Sequence, residues 1–272
     1  MRPRIVGGGE VPSEEAPFPR LLAEELPAPR SMSDPLSATL VLMTASRDEL
    51  LANLEGVRTG IASACDRAAR DVADVRLVAA TKTVLPQAIR WARDGGVADF
   101  GENYVKELRA KHNAVLDVRW HFIGTLQTNT AHHVAALADV VETVTGGHAT
   151  ERLARRAAAS GRTIDALIEV DLTGERTGLP PEQAAAVADR IASLEGLRLV
   201  GLMTIPPIGE RAEDARPYHI RLRQLRDRIR EWHPEVLELS MGMSLDYQVA
   251  VEEGATMVRV GTALFGPRAP LT

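Results

Sequence analysis

Lys82 directly follows the apolar run Leu77-Val78-Ala79-Ala80-Thr81, so a strand ending there would deliver a primary amine at its tip. An amine freed of its proton attacks an aldehyde and forms a Schiff base, which a guanidinium cannot do. The residue type is informative because only three of the 32 basic residues are lysines: Lys82, Lys106 and Lys111. A position needing charge alone would more readily be arginine in this chain. Far downstream, Ser240-Met241-Gly242-Met243-Ser244 follows a second apolar run, and Arg259-Val260-Gly261-Thr262 closes a third. Small residues with free N–H groups at a helix start hold anions, and Ser244 either caps a helix opening at Leu245 or bonds a phosphate oxygen. Arg259 interrupts an apolar run and needs a partner, which a phosphate, a ring nitrogen or a carboxylate on a neighbouring strand would supply.

Other polar residues have plainer readings. Asn103, in Gly101-Glu102-Asn103-Tyr104, is spaced to cap a helix or to offer its amide to a ligand. His121 sits within an apolar run, where a hydrogen-bonded core histidine is the simplest account. His132 and His133 are adjacent on a helical segment and are expected to point apart, which argues against a shared metal site. Lys106 and Lys111 fall on one amphipathic helix, where solvation accounts for both. Asp171, Glu175 and Arg176 follow another run and fit either a binding-site rim or a solvated loop.

The elements that must position these residues alternate regularly. Apolar runs of strand length occupy 76–81, 97–100, 119–123, 140–144, 166–170, 197–203, 236–239 and 257–260. Amphipathic helical segments separate them, and Ser46-Arg47-Asp48-Glu49 has capping-box spacing ahead of a first helix. Eight strands with intervening helices predict a single (β/α)8 TIM barrel over residues 46–272, close to the usual length of about 250 residues. An open doubly wound sheet fits less well, since no G-x-G-x-x-G follows the first strand. In a barrel, Lys82 falls at the catalytic end of strand one, and the Ser244 and Gly261-Thr262 loops fall at the phosphate position after strands seven and eight.

Composition narrows the classes. Seven of the 16 prolines and a Gly7-Gly8-Gly9 run lie in residues 1–45, which read as a disordered tail. A net charge of -5 without a basic block argues against nucleic acid as a partner. No run approaches the roughly 18 apolar residues of a membrane helix. One cysteine, Cys65, excludes a disulfide scaffold, and the chain reads as cytoplasmic.

An amine on strand one, an anion cradle after strands seven and eight and an arginine between them suit a phosphorylated aldehyde, with pyridoxal 5'-phosphate as the obvious candidate. Six blocks carry a resemblance to the pyridoxal phosphate homeostasis protein family: 80–83, 100–105, 120–124, 201–206, 239–244 and 258–266. The resemblance implies a barrel akin to the N-terminal domain of alanine racemase and a Schiff base at Lys82. It further implies that Ser244, Gly261 and Thr262 hold the phosphate with Met241 beside them, that Arg259 approaches the pyridine nitrogen, and that Asn103 lies beside the cofactor. Val84, Thr130 and the loop 172–178 stand where that family commonly carries lysines. The expected function is binding, buffering and delivery of pyridoxal 5'-phosphate by a monomer to apo-enzymes, without an established catalytic residue. A racemase or lyase using Lys82 as base, with Tyr104 or His121 as a second, is the alternative; a chain ending at Thr272 leaves no room for a second domain to supply that base.

Overall fold

The computed structural model describes residues 45–267, so the tail expected over residues 1–45 falls outside them but for Ala45. The first helix, α1 (Arg47–Ala68), starts where the capping box places it. The Ser46 hydroxyl accepts from Glu49 N at 3.2 Å, and Ser46 N donates to the Glu49 carboxylate at 2.7 Å. Leu50, Leu54, Val57 and Ile61 recur at helical spacing and are all buried.

Eight parallel strands follow: β1 (Arg76–Ala80), β2 (Asp99–Glu102), β3 (Arg119–Phe122), β4 (Val140–Val144), β5 (Ile164–Glu169), β6 (Leu197–Met203), β7 (Glu238–Ser240) and β8 (Met257–Val260). Between and after them run α2 (Pro86–Asp94), α3 (Val105–Ala114), α4 (Ala131–Leu137), α5 (His148–Ala159), α6 (Ala184–Ala192), α7 (Arg216–Ile229), α8 (Tyr247–Glu252) and α9 (Thr262–Phe265). Each strand pairs with the next and β8 pairs back to β1, with Val78 opposite Arg259. The sheet is therefore a closed barrel, and the open-sheet alternative is set aside.

Strand alternation divides the side chains into two sets. Those facing the helices form the main core, which includes Phe100 and Trp120 with ring centroids 5.9 Å apart. Those facing inward include the apolar cluster Val78, Val140, Leu167, Met203 and Met257. Ion pairs plug the N-terminal end below that cluster: Arg76 with Glu238, and Arg119 and Arg198 with Asp165. The C-terminal end is thereby left as the polar mouth.

Three strands start two residues away from the apolar runs, of which β5 begins at Ile164 rather than at 166. β2 lies two residues later than the run at 97–100, because Asp99 and Glu102 are buried with ionic partners that sequence spacing does not reveal. β7 likewise covers Glu238–Ser240 rather than 236–239.

Candidate functional site

Lys82 leaves β1 in a tight turn, and the residues on both sides of it are clamped. Thr81 is fully buried, and its carbonyl accepts from Lys111 Nζ at 2.6 Å. Its hydroxyl donates to the Glu102 carboxylate at 2.9 Å. Thr83 takes φ +64°, a left-handed conformation that is a genuine outlier for a β-branched residue. Its N–H donates to Glu107 Oε2 at 2.8 Å. Lys111 Nζ lies 2.6 Å from both Glu102 and Glu107, so one ammonium ties the two carboxylates together. Burial alone would raise the Glu107 carboxyl, but the Lys111 and Thr83 hydrogen bonds hold it below its ordinary value. Thus α3 and β2 fix the backbone that aims Lys82, whose half-buried amine sits 5.1 Å from the Tyr104 ring centroid. Lys111, expected to be a solvated helix residue, is instead only 4% exposed. Two of its three partners, Thr81 and Glu102, lie at the end of β1 and on β2, beyond what a helical pattern can register. Lys106 is exposed, as expected.

Asn103 does not cap α3, whose preceding residue is Tyr104. The Asn103 amide instead points toward β3, donating to Ile123 O at 3.5 Å, while its N–H donates to Glu102 at 2.8 Å. Backbone contact here is close: a Cβ on Gly124 would meet Asn103 O at 1.9 Å.

The loops after β7 and β8 meet each other through Ser244. Its Oγ accepts from Gly261 N and from Ala263 N, both at 3.2 Å. Ser244 therefore links the loops and holds the start of α9 rather than capping the helix that follows it, and α8 begins at Tyr247 after Asp246. Asp246 accepts from Met243 N at 2.8 Å and from the His219 ring at 2.8 Å, which together with Met243 hold its carboxyl low against burial. Gly242 has φ +90°, and a Cβ there would strike the Ala250 Cβ at 2.5 Å, so only glycine lets this loop pack on α8. Met241 is fully buried in the main core, with its N–H bonded to Met257 O. Thr262 is exposed at the start of α9.

Arg259 faces into the barrel and is only 5% exposed. It donates to Ser240 Oγ and, at 2.8 Å, to Thr204 O, and lies 3.6 Å from Glu142. Burial lowers its pKa, while Glu142, Asp246 and Glu169 pull it back up. Ser240 also donates to Glu142 at 2.6 Å. The chain of contacts continues through His121, whose Nδ1 lies 2.7 Å from Glu142 and whose Nε2 lies 2.9 Å from Asp99. His121 is thus a hydrogen-bonded core histidine with both ring nitrogens engaged. Asp99 and Glu142 were not legible as site neighbours; their signal was an acid inside an apolar run, the same signal that marked Arg259. Of the residues singled out from sequence, Ser244, Gly261, Thr262 and Arg259 share adjoining loops and strands. Lys82 and Asn103 follow the neighbouring strands β1 and β2, and among the described residues no hydrogen bond joins either to Ser244. His132 and His133 do not point apart: their rings lie 3.8 Å apart beside Arg109.

The histidine bridge is a stability element with a defined pH window. Burial opposes the imidazolium, but the two carboxylates outweigh it and raise the His121 pKa. A raised cationic group stabilises fully below its unfolded pKa and loses that contribution as pH rises through the folded value. Asp99 and Glu142 are lowered against burial, so their contributions are present above the ordinary carboxylate range and vanish as pH falls through their folded values. His121→Leu is expected to cost about 3 kcal/mol near pH 6, because Asp99 loses its buried partner while Ser240 and Arg259 still serve Glu142. That corresponds to a fall in Tm of roughly 6–12 °C. Calorimetry at several pH values checks it: the deficit must shrink as pH rises above the His121 pKa.

Known proteins share this fold. Residues 43–269 match the family described as alanine racemase, N-terminal domain. A pyridoxal phosphate homeostasis protein of Aquifex aeolicus is 41% identical over 220 residues, covering 79% of this chain and 96% of that protein. The solved structure of PipY from Synechococcus elongatus with PLP bound is 32% identical with a TM-score of 0.71, covering 80% of this chain and all of that one. An alanine racemase from Clostridium difficile shares the fold at a TM-score of 0.63 and 14% identity, and this chain spans 57% of it. With the barrel, the clamped lysine and these relatives together, the chain belongs to the pyridoxal phosphate homeostasis protein family.

Proposed function

We propose that this chain binds pyridoxal 5'-phosphate at the C-terminal mouth of its barrel and carries and buffers it for vitamin B6 homeostasis. The observation that carries the reading is Lys82, held at the tip of β1 by a clamp on both flanking residues. The donor set fits the group. A primary amine stands ready for an aldehyde, and the Ser244 hydroxyl with the Gly261-Thr262 backbone, whose Gly261 N–H bonds Ser244, would hold a phosphate, with the Arg259 guanidinium beside them for further acceptors. The Gly242 close approach fits as well, since it lets the loop bring its backbone near an anion. When bound, the cofactor supplies an electrophilic aldehyde carbon; the protein's part is to position the amine and neutralise the phosphate. Asn103, held between β2 and β3, borders the same mouth.

Carriage is favoured over a dedicated turnover. Both nitrogens of His121 are engaged, and Tyr104 is 51% exposed, so neither is set up as a second base opposite Lys82. An arginine near a pyridine nitrogen disfavours its protonation and weakens the electron sink that racemases and lyases require of this cofactor. In this reading the chain acts as a cytoplasmic monomer that hands the cofactor to apo-enzymes.

Borohydride reduction of the cofactor-loaded protein, followed by peptide mapping, tests the assignment. The pyridoxyl group is expected on Lys82, and its recovery on Lys106 or Lys111 instead overturns the site. Exchange of the α-hydrogen of amino acids with solvent at ordinary enzymatic rates, lost in Lys82→Ala, would favour the racemase-like reading.

A further inference from the structure

One buried carboxyl at the mouth has no task in the site described so far. Glu169 is the last residue of β5 and only 7% exposed. Leu167, two residues earlier, belongs to the inward cluster, and Asp165, four earlier, joins the ion-pair plug at the opposite end. Alternation therefore turns Glu169 inward at the C-terminal end. Its backbone is tied down, with the carbonyl accepting from Leu179 N at 2.8 Å. Among the described residues, nothing donates a hydrogen bond to its carboxylate. In the closed order β1 to β8, β5 lies diametrically across from β1, so Glu169 faces the Lys82 side of the mouth. The interior of an eight-stranded barrel is narrow enough for one small ligand to reach both walls.

The surrounding charges explain why this carboxyl differs from its neighbours. Asp99 and Glu142 are matched by His121 and Arg259, so the inward acids and bases already balance in pairs. Glu169 is the unmatched one. Arg259 on β8 and Arg176 in the loop after β5 favour its anion, and Asp171 in the same loop opposes it. On β6 the neighbouring positions are Met203 and Thr204, which do not titrate. Burial outweighs the arginines and pushes the Glu169 pKa up to about 7.

We propose that Glu169 is a ligand-contacting proton carrier: as a neutral acid it donates a hydrogen bond to an acceptor on a bound phosphorylated aldehyde, and as an anion it repels that ligand. No covalent bond changes; one proton leaves Glu169 for solvent as the ligand is released. The mouth thereby holds its cargo more tightly on the acid side of neutrality than on the alkaline side. This inference rests on the cofactor-binding reading and deepens it.

The test compares the dissociation constant of pyridoxal 5'-phosphate for the full chain and for Glu169→Gln from about pH 5.5 to 8.5. Glutamine keeps a neutral donor, so titrations of the ligand and of Lys82 cancel in the ratio of the two constants. The ratio is expected to be flat below about pH 6 and to reach about tenfold in favour of the variant near pH 8, one factor of ten per pH unit above the Glu169 value. If both proteins bind and the ratio stays flat, the inference fails while the cofactor reading stands. If neither binds, both fail. A second measurement needs no variant and no ligand: the Glu169 side-chain carboxyl, followed by carbon NMR in the free protein, must titrate near neutrality. A midpoint in the ordinary carboxylate range overturns the proposal.

Discussion

Lys82→Ala is expected to abolish covalent attachment of pyridoxal phosphate and with it the visible absorbance of the loaded protein. The loops proposed to hold the phosphate and Arg259 are untouched by this change, so binding is expected to weaken rather than disappear, by on the order of 10–100-fold, or about 1.4–2.8 kcal/mol. Lys82→Arg sharpens the point. It preserves the positive charge and most of the side-chain length, yet guanidinium forms no comparable Schiff base, so the absorbance must be absent there too. Folding is not at stake, because Lys82 is half-buried and its side chain makes no ion pair among the described residues. Absorbance and fluorescence titration check both variants. Persistence of the visible band in Lys82→Ala would remove the central assignment.

The second large effect belongs to Lys111. Its removal as Lys111→Met leaves Glu102, which is wholly buried, as an uncompensated anion, and such breaks cost about 3–5 kcal/mol. For a domain of this size the Tm falls by roughly 6–20 °C. Stability alone does not describe the outcome, because the same ammonium holds the Thr81 carbonyl and steadies the Glu107 that holds Thr83. Thr83 sits in a conformation that costs of order 1–3 kcal/mol and persists only while its surroundings enforce it. Pairing Lys111→Met with Glu102→Gln removes the stranded charge and is expected to restore most of the Tm. It does not rebuild the clamp, so loading at Lys82 should remain slower and weaker by about tenfold. A double variant that recovers both stability and loading would show that Lys111 serves only as a counter-ion.

The elements of the barrel are legible in the sequence because apolar runs of strand length alternate with amphipathic helical segments, even where single charged residues interrupt a run. β4, β6 and β8 fall on the runs read from the sequence without adjustment. What the pattern cannot show is the partner across the barrel. Glu102 reads as the start of a loop until Lys111 is brought against it from α3, nine residues later. Leu108 and Lys111 share one buried helix face, three apart, and an amine on the face of a buried leucine was the available hint. Ser244 reads as either a helix cap or a phosphate ligand, since hydroxyls before helices serve both uses; only the meeting of two loops turns it toward Gly261 and Ala263. Glu169 lies inside an apolar run as Arg259 does, and its lack of a partner is visible only in three dimensions.

The burial of Lys111 also bears on chemical selectivity. Pyridoxal phosphate is an indiscriminate electrophile that decorates exposed amines on any protein it meets. Here one of three lysines is locked into the clamp, Lys106 stands in solvent, and Lys82 waits at the mouth. A cargo molecule therefore has a single rival lysine for adventitious capture, and the background that blurs loading stoichiometry in lysine-rich proteins is nearly absent. Under the proposed carrier function, a surface that uses arginine for its positive charge keeps the cofactor from sticking to the outside of the protein.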